Sequence, residues 1–306
     1  MGLPSGKHHY AWHRHGQDRR YDRREAQTRL CRASGRRFAA GLVQTLCAVV
    51  LALVCTAATA HAETVRIATF NAELTRKGPG LLLRDIKRDK DEPVDAFVAL
   101  MTEVRPDVIA LQGIDYDLRQ TALLALIEVL SDAGLTYSYH FTSAPNAGQV
   151  SGLDLNGNGA FGDADDAHGF GRYSGMAVLS RFPIIQDAVE DYTPMLWRDL
   201  SGHIYPMVDG RPFGGETVFA EHRLSSRGHW VVPIQTPNDG PIRLMTFHAT
   251  PPIYDGDEDR NGRHNHDEVA FWLDYLDYDT NLQPFILAGT ANIDPKRGSG
   301  RRSRLY

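Results

Sequence analysis

Arg105-Pro106-Asp107-Val108-Ile109-Ala110-Leu111-Gln112-Gly113-Ile114-Asp115-Tyr116-Asp117 decides how this chain folds. Pro106 breaks the segment before it, Val108 to Leu111 run apolar without interruption, and from Gln112 onward the sequence turns polar and acidic. Such a run predicts a buried, parallel strand whose carboxyl end delivers side chains into a crevice. A functional site belongs at that end.

Working outward, residues 65–71 alternate and predict a strand ending in Asn71. Helical spacing covers 93–104 and 118–133, with Asp117 placed to cap the second helix and Gly134 to end it. Further strands are predicted over 137–142, 175–184 (bending at Pro183), 229–234, 242–248 and 285–288, and a helix over 264–278. The loop between them, 143–173, is too long to be a simple connection. The class is α/β, and four strands end in Asn71, Gln112-Gly113, His248 and Asn292.

The termini read differently. Residues 1–37 hold ten Lys and Arg against three acids and show no apolar periodicity, so they predict a basic, disordered leader. Residues 38–62 carry no charge and end in Ala60-His61-Ala62, the small-residue site that follows the apolar core of a secretory signal. The expectation is an exported protein, periplasmic or secreted, with a membrane anchor as the alternative. All three cysteines lie in this leader, so the 244 residues after it are expected to fold on a core without disulfides. Those residues hold 23 basic and 35 acidic side chains, a net charge of −12 that disfavours long nucleic acids.

Thr69-Phe70-Asn71, residues 106–112, the Leu179-Ser180-Arg181-Phe182-Pro183-Ile184 segment, Phe247-His248 with Pro251, and Leu287-Ala288-Gly289 with Asn292 occur in an order that resembles the endonuclease/exonuclease/phosphatase superfamily, the DNase I-like fold. The resemblance implies a four-layer α/β/β/α sandwich over residues 63–295, with the last strand or strands missing, and hydrolysis of a phosphoester with Mg2+ or Mn2+. It implies that His248, Asn71 and Asn292 hydrogen-bond the phosphate. No protein partner is expected, and the substrate class stays open.

Three departures bear on that reading. Gly113 stands where the family has its metal-binding glutamate, Thr290 where it has an aspartate, and the C-terminal Asp-His segment is missing. The chain passes instead into a basic Gly/Ser-rich tail, 296–306, that reads as a truncated or frame-shifted end. Asp115, sharing the parity of Gly113 on an extended strand, together with Glu73 and Asp117, forms the candidate replacement Mg2+ site. A second candidate is a Ca2+ loop, in which Asp154, Asn156, Asn158 and Asp165 hold positions 1, 3, 5 and 12 with Gly159 at 6. Two readings follow: a phosphoester hydrolase, or a non-catalytic calcium- or ligand-binding derivative or fragment of the same fold.

Overall fold

A computed structural model describes residues 63–169, 174–237, 240–281 and 283–294. Contacts divide the chain into Met1–Ala62 and Glu63–Tyr306. The predicted leader, signal or anchor, and basic tail lie outside the described residues. Among the described residues no helix is long and apolar enough to cross a membrane.

The first sheet has the order β1 (Ile67–Asn71), β2 (Val108–Asp115), β4 (Ser174–Ser180), β3 (Tyr139–Phe141). β1 runs parallel to β2, from Ile67 against Val108 to Asn71 against Gln112. The helices α1 (Leu81–Arg88), α2 (Glu92–Val104) and α3 (Thr121–Asp132) connect its strands. Asp91 caps α2 by accepting from the Val94 N–H, and Arg105, in the left-handed region before Pro106, closes it. Asp117 accepts the N–H groups of Thr121 and Ala122 and so caps α3, as its position predicts.

The second sheet has the order β10 (Phe285–Leu287), β9 (Pro241–Phe247), β8 (His229–Gln235), β5 (Glu190–Asp191). A short hairpin, β6 (Met207–Val208) with β7 (Arg211–Pro212), and helix α4 (Glu216–Glu221) lie between β5 and β8 in the chain. Helix α5 (Arg260–Tyr278) starts four residues earlier than its spacing suggests, because Asp255 accepts the N–H groups of Asn261 and Gly262 at its first turn. The strand bounds are otherwise close to expectation. Helices α1 and α4 and the two-residue strands β5, β6 and β7 were not predicted.

Three apolar clusters separate four layers. Phe97, Met101, Leu123 and Leu126 pack with Ile109, Leu111 and Leu179 on the outer face of the first sheet. Val108, Ala110, Met176 and Val178 meet Trp230, Val232 and Leu244 between the sheets. Met245, Phe247, Phe271 and Trp272 form the third, where α5 covers the second sheet. This is the expected mixed α/β sandwich; the expectation about strands after β10 falls on residues outside those described.

The amino-terminal half of α5 is polar and buried. Glu268, fully buried, accepts the backbone N–H groups of Ser226 (2.6 Å) and Thr250 (2.5 Å). Asn265 donates to the carbonyls of Thr250 and Ala291, and Asp267 accepts from Trp197 and Ile204. His264 and its neighbours therefore tie loops to a helix. Replacing Glu268 by Ala leaves two buried N–H groups unpaired and should cost about 3 kcal/mol, read as a shift of the urea unfolding midpoint.

Candidate active site at the rim between the two sheets

Strand alternation places the site. Ile67 in β1, Val108 and Ala110 in β2, Leu244 in β9 and Ile286 in β10 face the inter-sheet layer, so Asn71, Gln112, Thr246, His248 and Thr290 share that side. The carboxyl ends of these four strands are tied together directly. Gln112 is fully buried; its Oε1 accepts from Thr69 (3.2 Å) in one sheet and Thr290 (3.3 Å) in the other, and its Nε2 lies 3.5 Å from Thr246 Oγ1. His248 bridges Thr290 in parallel register, and Asn292 donates to the Ala249 carbonyl at 2.8 Å.

Gly113 is the extra residue of a β-bulge between Gln112 and Ile114 and has φ +70°. A Cβ there would collide with Asn71 Oδ1 and come within 2.9 Å of the Glu73 backbone nitrogen. The glycine therefore lets Asn71 close against β2, and in this backbone there is no room for a glutamate. The bulge also breaks the alternation on which the Asp115 reading rests, since Ile114 joins Ile109 and Leu111 on the helix side. Asp115 does not inherit the place of residue 113. Its Oδ1 accepts the Arg76 N–H at 2.8 Å and its buried Oδ2 has no partner, and burial raises its pKa.

The other Mg2+ candidates are spent elsewhere or set apart. Burial works to raise the Asp117 pKa, but the N–H groups it caps on α3 outweigh that and lower it. Glu73 is exposed, on a left-handed backbone. Among the described residues no three His, Cys, Asp or Glu side chains are placed to hold a metal ion.

In the candidate calcium loop the side-chain oxygens meet N–H groups of the loop itself. Asp154 accepts the N–H groups of Asn158 and Gly159, Asn156 accepts from Asn158 N–H, and Asn158 accepts from Ala160 N–H. The oxygens expected on an ion thus close side-chain turns. Asp163, not Asp165, gathers the Asn156 and Asn158 amides and caps a 3-10 turn over Ala164–Asp166. Spacing alone had no means of distinguishing the two, because both are acidic and two residues apart.

The site is held by neutral groups. His248 Nδ1 and Asn71 Oδ1 are both buried without a partner. Burial, and then the charge of Arg227, push the His248 pKa down to about 2, so its imidazole is neutral at any physiological pH. Arg227, which the sequence reading passed over, is itself buried, its guanidinium reaching Ser174 Oγ at 3.2 Å. Its only sequence signal is a single cation just before an apolar strand.

Two outcomes follow. Gly113→Ala should destabilise the fold by about 1–3 kcal/mol through left-handed strain and the clash with Asn71, measured by urea unfolding. Burial lowers the pKa values of His168 (to about 4), His222, His229 and His248, so the folded state favours their neutral forms. Their contribution is full above about pH 6.5 and is lost as pH falls. Unfolding midpoints should drop below that pH, less steeply in His248→Gln.

Comparison with known proteins gives the lineage. Residues 68–304 match the model of the Endonuclease/Exonuclease/phosphatase family. No curated protein matches. Among solved structures, an endonuclease/exonuclease/phosphatase from Beutenbergia cavernae is 18% identical with a TM-score of 0.41, covering 76% of this chain and 47% of its own. Beta toxin from Staphylococcus aureus with bound magnesium ions is 13% identical (TM-score 0.43; 76% and 66% covered). Sphingomyelinase C from Streptomyces griseocarneus is 18% identical (TM-score 0.40; 77% and 66% covered). The chain thus spans about half to two thirds of the length of these structures. With its sandwich and strand-end residues, this chain belongs to the endonuclease/exonuclease/phosphatase family.

Proposed function

We propose that the inter-sheet rim recognises a phosphoester, and that hydrolysis of that ester is the activity of this chain. The observation that carries the reading is His248, a buried, neutral imidazole with an unpartnered Nδ1 at a strand end tied to Thr290. A polar group kept buried and unpaired at a rim suits an oxygen-rich ligand. Neutral His248 acts as a hydrogen-bond partner for a phosphoryl oxygen and holds the ester in place. Its low pKa makes it a poor general acid near pH 7. Asn71 Oδ1 accepts a hydroxyl donor on the ligand.

A net charge of −12 over residues 63–306 favours a small phosphoester over a long polyanion. The leader supports export as the setting of this activity. The Mg2+ or Mn2+ dependence that the resemblance implies finds no assembled donor set among the described residues. The bulge at Gly113, which leaves no room for a glutamate side chain, favours a second reading, in which the rim binds a phosphoester without turning it over.

Hydrolysis of bis-p-nitrophenyl phosphate with Mg2+ or Mn2+ separates the two. Turnover that falls about tenfold or more in His248→Ala supports the enzyme, in line with loss of one preorganised hydrogen bond. Background rates in both proteins, with phosphate binding retained in the wild type, establish the binding reading.

A further inference from the structure

Among the described residues two arginines are almost fully sequestered, and they are treated differently. Arg243, 2% exposed, has its charge met by Asp279 at 2.6 Å. Arg227, 7% exposed, has no carboxylate within ion-pair distance among the described residues. Its guanidinium contacts are neutral: Ser174 Oγ at 3.2 Å from Nε, and the Ser226 hydroxyl and Ala249 carbonyl, each 3.5 Å from Nη1. Glu268 acts on Arg227 only through space, since its two oxygens are taken by the N–H groups of Ser226 and Thr250.

The place of this cation matters as much as its isolation. Ser174 begins β4 and pairs with Asp115 at the carboxyl end of β2; Ser226 and Ala249 flank His248, whose carbonyl accepts from Ser226 Oγ. Arg227 therefore spans the two sheets at the same rim as Gln112, beside the imidazole whose proton affinity it depresses. A buried guanidinium without a counter-ion is costly, and a planar fork of N–H donors suits the oxygens of a phosphoryl group.

We propose that Arg227 binds the phosphoryl anion of the ligand, supplying the positive charge that the neutral Asn71, His248 and Asn292 lack. This rests on the phosphoester reading above and adds to it the cationic group. Arg227 then neutralises the bound ester, and His248 beside it stays uncharged.

The test is titration of the full chain with inorganic phosphate by calorimetry, at low and moderate ionic strength. Arg227→Gln keeps a side chain able to reach Ser174 and removes the charge; it should weaken phosphate binding at least about tenfold. Salt dependence should fall with it. Arg227→Lys should bind with intermediate affinity. Should the glutamine variant not fold, the Arg227 Nε–H resonance of the wild type provides the readout, since phosphate should shift it. Unchanged affinity in folded Arg227→Gln, or a motionless Nε–H signal while phosphate binds, overturns the assignment and leaves Arg227 a strut between sheets. If His248→Ala loses binding and Arg227→Gln does not, the phosphoester reading stands and this inference falls. A wild type that binds no phosphate ends both.

Discussion

The Gln112 carboxamide is the interaction on which the site depends. Two sheets packed face to face bring apolar side chains together readily, but their polar strand ends meet only if something satisfies them. Gln112 does so from the last inter-sheet position of β2 before the bulge, accepting from Thr69 and Thr290 and approaching Thr246. With the bridge between His248 and Thr290, that one side chain joins β2 to the other three strands whose ends form the rim. Thr290, which carries no charge, takes part as a hydroxyl donor. An aspartate there would carry acceptor oxygens and, when ionised, no proton to give Gln112 Oε1.

Charge is the second organising constraint. The surface is acidic, yet the rim is built from amides, hydroxyls, a neutral imidazole and one buried arginine. Two of the carboxylates that the sequence suggests for the site, and a third from α5, are used by the backbone. Asp117 caps α3, Asp115 holds the Arg76 N–H, and Glu268 secures the loops before and after β8 and β9. Each of these acids pairs an N–H group at a helix start or loop end that would otherwise lack a partner.

The same competition explains the calcium-like loop and the polar start of α5. Asp and Asn side chains two or four residues from a free N–H close their own turns, as Asp154, Asn156 and Asn158 do. His264, Asn265, Asp267 and Glu268 look like ligands when written in a row. In three dimensions they point to different loops, each satisfying a separate backbone group or indole.

What the amino-acid sequence determined by itself was the α/β class, the order of the long elements, and the set of strand ends carrying Asn71, Gln112, His248 and Asn292. Apolar runs and their period are local properties, and alternation assigns each residue a face without knowledge of the partner strand. Tertiary structure alone decided the bulge at Gly113, since whether an extra residue is squeezed out of a ladder depends on the strand beside it. Asp115 lost its predicted parity for that reason. It also decided that Arg227 is buried without a counter-ion and that Asp163 replaces Asp165, because the burial of a charge and the choice between two acids depend on neighbours brought from elsewhere in the chain.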